Sequence, residues 1–160
     1  MVNTAHPAVD RVRSALQAQG LDPEIRWFDE AATTAVAAAA ALGIEVGAIA
    51  NSLIFTLDDE PLLVLTSGAH RVDTAWLGER LGGAIGRASK DLVKEATGQT
   101  IGGVAPVGHP SPIRTLVDED LAGYPVVWAA AGHAHTVFPT TFDELLRLTD
   151  GTAVSVGAPA

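Results

Sequence analysis

The stretch "NSLIFTLDDEPLLVLTSG", Asn51 to Gly68, decides the fold class. Its first half carries β-branched and aromatic residues in a strand pattern. "DDE" (58–60) then turns the chain, and "PLLVLTSG" brings it back as a second strand. A hairpin over Asn51–Ser67 makes antiparallel pairing the starting point of any sheet this chain builds.

Upstream, "PAVDRVRSALQAQG" (7–20) sets Val9, Val12, Leu16 and Gln19 at helical spacing, with Pro7 suited to a first turn and Gly20 to a stop. "EIRWF" (24–28) reads as a short strand. Thr33 or Thr34 caps an alanine-rich helix that ends at Gly43, and "GAIA" (47–50) reads as a helical turn. Downstream, Asp73 caps a helix through Leu81, Ile85 sits on a short strand, and Ser89 caps "KDLVKEATG", which closes at Gly98. A glycine-rich loop, "TGQTIGGVAPVG" (97–108), follows.

Beyond the loop, "RTLVDEDL" gives a strand and a turn, and "PVVWAAAG" with "HAHTVFP" gives a second hairpin. Thr140 or Thr141 caps a helix to Leu148, and "TAVSV" is a last strand. Hairpins mixed with unevenly spaced helices predict an α+β fold rather than regular βαβ winding. The expectation is one domain over residues 1–160, with a mixed, largely antiparallel, curved sheet flanked by helices.

Composition narrows the function. With 48% hydrophobic residues and 18% charged, the chain has the profile of a globular protein. No membrane span or signal-peptide core is visible, so a cytoplasmic location is expected. The absence of cysteine excludes disulfides, thiolate metal sites and cysteine nucleophiles. A net charge of −9 argues against general nucleic-acid affinity, yet six of the ten Lys and Arg residues fall between Arg71 and Arg114 against four acids. That segment runs into the glycine loop.

The loop lacks a phosphate-binding GxxxxGK[ST] pattern and follows a helix. Its glycines could form a strained connection, or let backbone N–H groups approach an anion or a developing oxyanion. His133 and His135 would share a face if they lie on a strand. With His70 or Asp118 as third ligand they form a candidate metal site. "DED" at 118–120 reads as a solvated turn.

Five blocks then occur in order: "TAVAAAAALG" (34–43), "IANSLIF" (49–55), "LVLTSGAHRVD" (63–73), "RASKDLVKEATGQTIGGVAPVG" (87–108) and "LVDEDL" (116–121). This succession resembles the YbaK and prolyl-tRNA synthetase-associated domain family, over about Thr34 to Leu146. Gly102 and Pro106 match that family's GxxxP element. The resemblance implies an aminoacyl-tRNA editing domain that hydrolyses the ester of a mischarged tRNA without metal or other cofactor. Backbone N–H groups of the glycine loop would polarise the ester carbonyl while a ribose hydroxyl assists water. With no room for a synthetase in 160 residues, such a domain is expected to act in trans, with a synthetase as a second candidate partner.

On this resemblance Gly102, Gly103 and Asn51 form the reaction site. Ser52, Thr66, Ser67, Gly68, His70 and Pro106 surround the substrate, and Arg71, Arg87, Lys90 and Lys94 are candidates for tRNA contact. Many family members carry lysine in a "KSLVF"-like block where this chain has Asn51. That substitution keeps open a binder of aminoacyl-tRNA or aminoacyl nucleotide that does not turn it over.

Overall fold

The computed structural model describes residues 6–99 and 101–157. Its elements run α1 (Pro7–Ala18), β1 (Arg26–Trp27), α2 (Ala35–Leu42), β2 (Ile49–Leu57), β3 (Glu60–Ser67), α3 (Thr74–Leu81) and β4 (Ile85–Arg87). Then come α4 (Lys90–Thr97), β5 (Arg114–Asp118), β6 (Val127–Ala129), β7 (Thr136–Thr140), α5 (Phe142–Thr149) and β8 (Thr152–Val154).

Local chemistry sets these boundaries. Thr34, Asp73, Ser89 and Thr141 each accept a hydrogen bond from the backbone N–H three residues on, which satisfies one of the orphan donors of the first turn. Gly43, Gly82 and Gly98 end their helices in the left-handed conformation. In the hairpin, Asp58 (φ 48°) and Asp59 (φ 69°) both take positive φ, as a two-residue turn matched to strand twist requires. The register therefore closes tightly, from Leu57↔Glu60 back to Ala50↔Ser67.

The hairpin is the centre of an eight-stranded open sheet in the order β1-β7-β6-β2-β3-β5-β8, with β4 also on β2. It is more mixed than the hairpins alone suggest, because β2–β6, β3–β5 and β5–β8 are parallel. The outer edge of β2 is shared. β6 takes Ile49 and Ala50, β4 takes Phe55 to Leu57, and the four residues between, 51–54, pair with neither.

Both faces of the sheet are covered, so β3 reads as a run of buried aliphatics: Leu62, Leu63, Val64 and Leu65 are each 0% exposed. Leu63 and Leu65 face a core with Val12 and Leu16 of α1, Val93 of α4 and Leu145 of α5. Leu62 and Val64 face a second core with Leu77 of α3. Each such side chain contributes about 2 kcal/mol through burial. The alanines of α2 allow it to settle closely on Ile49 and Trp128.

Candidate functional site

The gap in the outer edge of β2 opens into a cavity of about 420 Å³. Its floor is β2 from Asn51 to Ile54. One wall is the start of α2 with Thr33 and Thr34, and the facing wall is Ile101, Gly102 and Val104 of the glycine loop. Trp128, Ala130 and Val137 close one end, and Val93 and Arg87 the other. Arg87 is the one charged residue on this lining among the described residues.

The glycine loop is a buried, internally bonded turn rather than a bare one. Gln99, 1% exposed, accepts from Ala105 N–H through Oε1 (2.7 Å) and donates from Nε2 to the Val107 carbonyl (3.2 Å). Gln99 N–H donates in turn to Thr97 Oγ1 (3.0 Å), and His109 Nε2 donates to the Ala105 carbonyl (2.8 Å). Gly103, Ala105, Pro106 and Val107 are buried behind the cavity wall, and Val104 is a buried part of it. Gly102, half-buried with φ 93°, and exposed Ile101 face outward. Neither Gly102 nor Gly103 donates a backbone hydrogen bond to another described residue.

The two glycines are required for different reasons. At Gly102 a Cβ would lie 3.5 Å from Thr33, an ordinary contact, but φ of 93° disfavours any side chain. At Gly103 a Cβ would lie 2.6 to 2.7 Å from the backbone of His133 and Ala134, so the turn itself would have to shift. Gly103→Ala should therefore cost about 3 kcal/mol in urea denaturation, the upper range for overpacking. A loss below about 1 kcal/mol would show that the turn around His133 can move.

The cavity brings Asn51, Ser52, Gly102 and Arg87 together. Pro106 lies behind Gly102. Lys90 and Lys94 are exposed on α4, whose Val93 reaches the cavity, and Arg71 is exposed just past β3. Thr66 is one strand inward, in register with Asn51, and its hydroxyl donates to Asp118 (3.3 Å). Ser67 N–H donates to the same carboxylate and Ser67 Oγ donates to the Gly47 carbonyl. Gly68 is where α2 and the Val46 carbonyl come closest to β3, leaving no space for a Cβ.

Asp118 corrects the expectation of a solvated turn. It is 1% exposed and is the shared acceptor of Thr66, Ser67 and His70, because β5 lies beside β3 and carries it inward. His70 sits between two carboxylates, with Nδ1 2.7 Å from Asp118 and Nε2 2.9 Å from Asp120. Both ring nitrogens are thus committed away from His133 and His135. Those two lie in the β6–β7 turn before the strand starts at Thr136, so they do not form the same-face strand pair the spacing predicted.

Instead His133 packs against His6 and His135, with ring centroids 4.8 and 5.1 Å away. Its Nδ1 accepts from His135 N–H (3.1 Å), and His135 Nδ1 donates to the Phe28 carbonyl (3.0 Å). Desolvation, then the charges of His6 and His135, hold the His133 pKa below the usual 6.5. Burial likewise lowers His109, opposed by its bond to the Ala105 carbonyl.

The sign follows by linkage. Both rings stay neutral in the fold at a pH where the unfolded chain already binds protons, so their contribution is complete above about 6.5 and is lost as pH falls through the folded values. Melting temperature should decline from pH 7.5 to 5.5, and replacing both histidines with glutamine should flatten that decline. An unchanged slope would contradict it.

Thr33, Trp128, Ala130 and Gln99 are site residues that sequence reasoning passed over. Thr33 stood out only as a helix cap. Gln99 gave no signal, because a glutamine among glycines and threonines reads as exposed loop.

A mostly apolar cavity at a break in a sheet, with a few polar groups beside a positive-φ glycine, has the make-up of a small-molecule pocket. The chain belongs to the aminoacyl-tRNA editing domain family, whose model matches residues 29–148. YwhH of Bacillus subtilis (strain 168), a protein of uncharacterized function, is 27% identical over 84% of this chain and 86% of its own. Proline--tRNA ligase of Maridesulfovibrio salexigens is 38% identical over 42% of this chain, a segment that makes up 12% of the ligase. A crystal structure described as a candidate trans-editing enzyme for prolyl tRNA synthetase superposes with a TM-score of 0.90 at 38% identity, covering 98% of this chain and 100% of the other. No helix among the described residues is long and apolar enough to cross a membrane.

Proposed function

We propose that the chain acts as a single editing domain in trans, a deacylase that hydrolyses the ester between a misattached amino acid and the terminal ribose of tRNA. The observation that carries this reading is the open strand edge at 51–54 facing the positive-φ turn at Gly102 across one cavity. Its volume of about 420 Å³ suits a small or mid-sized aminoacyl group together with part of the ribose.

The apolar lining takes the amino-acid side chain, and the ester carbonyl turns toward the loop. Water adds to the carbonyl carbon as a neighbouring ribose hydroxyl accepts its proton and passes its own to the ester oxygen. The bond from carbon to the ester oxygen then breaks, and that oxygen leaves protonated. Free amino acid and uncharged tRNA result. Negative charge develops on the carbonyl oxygen, the N–H groups of Gly102 and Gly103, which bond no other described residue, serve as its donors, and the bound ribose supplies its hydroxyl by proximity. The polar lining side chains are hydroxyls, an amide and a guanidinium, with no imidazole or carboxylate among the described residues, a set suited to this chemistry without metal.

Arg87 at the cavity edge and exposed Lys90, Lys94 and Arg71 meet the phosphates in a chain otherwise strongly acidic. The proline-tRNA ligase and trans-editing relatives make tRNA mischarged by prolyl-tRNA synthetase the first substrate to test.

Asn51 on the cavity floor favours a second reading, a binder without turnover, since an amide offers hydrogen bonds but no charge where the resemblance has lysine. A panel of mischarged tRNAs separates the two. Hydrolysis of at least one well above its spontaneous rate supports the deacylase. Tight binding with no hydrolysis by the wild type, and activity restored in Asn51→Lys, would establish the binder.

A further inference from the structure

Ser52 and Ile54 have no strand neighbour on the outer edge of β2. A two-residue hairpin closes on a pair that exchanges both backbone hydrogen bonds, so Leu57, Phe55, Leu53 and Asn51 direct their peptide groups at β3, and Thr56, Ile54, Ser52 and Ala50 away from it. Two observed bonds fix this alternation at either end. The Ile49 carbonyl accepts from Gly68 N–H beyond β3 (2.8 Å), and Asp58 N–H donates to the Ala84 carbonyl beside β4 (3.0 Å). With Ala50 covered by β6 and Thr56 by β4, the unpaired peptide groups opening onto the cavity are those of Ser52 and Ile54.

Ser52 adds a second observation. Its Oγ is buried with no hydrogen-bond partner, the one such side-chain atom among the described residues. In register it stands beside Leu65, in apolar surroundings. A hydroxyl left unsatisfied there weakens the fold, so it costs nothing to stability to remove and gains its use only with a ligand.

An aminoacyl ester brings an α-ammonium into a cavity whose only charged lining residue, among the described residues, is the cation Arg87. The ammonium must be met by neutral acceptors, and an unpaired strand edge offers carbonyls spaced for backbone-like groups. We infer that the open edge of β2 at Ser52 and Ile54 is the α-ammonium subsite. The two carbonyls accept its protons, and Ser52 Oγ joins them after rotation about χ1. The inference rests on the deacylase reading and deepens it. The amino group is held on β2 and the carbonyl at Gly102, so the side chain alone enters the apolar pocket. Chains acylated on nitrogen, such as peptidyl-tRNA, are excluded from hydrolysis.

The test compares alanyl-tRNA with lactyl-tRNA, in which a hydroxyl replaces the amine with little change in size. Each enzymatic rate is divided by the spontaneous rate of the same ester, because the ammonium itself activates the carbonyl. Wild type should prefer alanyl-tRNA by roughly 10- to 100-fold in normalised kcat/KM, and N-acetylalanyl-tRNA should be slower still. Ser52→Ala should narrow the alanyl to lactyl ratio about tenfold while melting at or above the wild-type temperature. Equal normalised rates on alanyl- and lactyl-tRNA, or a Ser52→Ala loss that leaves the ratio unchanged, overturns the subsite alone. Failure of the wild type to hydrolyse any member of the mischarged panel overturns the deacylase reading and the subsite with it.

Discussion

Gly102→Ala is expected to lower deacylation kcat by about 100-fold or more with little change in KM, and without unfolding the protein. The cause is not obstruction. A Cβ at this position would rest in ordinary contact with Thr33, 3.5 Å away, and would clash with none of its described neighbours. The effect comes from φ of 93°, which alanine adopts only with strain of about 1 to 3 kcal/mol. The chain relieves that strain by rotating the flanking peptide groups, and these carry the N–H donors proposed to meet the ester carbonyl. Donors of this kind act on the charge that forms during reaction, so a rotated peptide lowers kcat before it weakens binding. Single-turnover deacylation beside a thermal melt measures both quantities. Wild-type kcat in a folded Gly102→Ala protein would remove the loop from the chemistry, and a proportionate rise in KM alone would make it a binding element.

Much of this arrangement was legible in the sequence because its signals were local. Asp73, Ser89 and Thr34 announce helix starts through their own hydroxyls and carboxylates, and Gly43 and Gly98 announce the ends. The turn at Asp58–Asp59 is decided within a few residues, and the hairpin follows from it. The family blocks set Asn51 and Gly102 together, and both line one cavity. What stayed hidden depends on partners distant in the chain. Asp118 looks like an exposed acid until β5 docks beside β3 and Thr66, Ser67 and His70 converge on it, some fifty residues away in sequence. The gap at 51–54 is invisible for the same reason. It exists because β6 stops at Ala129 and β4 reaches only to Arg87, so two separate strands leave an interval neither one encodes. His133 and His135 misled because spacing alone does not say whether a pair lies in a strand or in the turn before it.

Gln99→Leu should reduce deacylation nearly as much as Gly102→Ala, although Gln99 does not line the cavity. Its amide spans the loop from inside, holding Ala105 N–H at 2.7 Å and the Val107 carbonyl at 3.2 Å, and it is almost fully buried. Leucine matches the volume but leaves a buried donor and a buried acceptor unsatisfied, about 1 to 3 kcal/mol each. The loop escapes that penalty by twisting, and its outer turn at Gly102 moves with it. Gln99 thereby sorts the donors of the loop, engaging Ala105 N–H in structure, while those of Gly102 and Gly103 bond no other described residue. It is a positioning residue, so stability loss must be separated from misalignment. Leu77→Ala, in the second core against α3, supplies a control of comparable destabilisation remote from the loop. Assayed well below both melting temperatures, Gln99→Leu should lose kcat by about 100-fold while Leu77→Ala retains it. Gln99→Glu, which can still accept from Ala105 but has no hydrogen to donate to Val107 once ionised, should recover part of kcat as pH falls and its carboxyl protonates. Equal kcat in Gln99→Leu and Leu77→Ala, or a Gln99→Glu profile parallel to wild type, would reduce Gln99 to an ordinary buried amide.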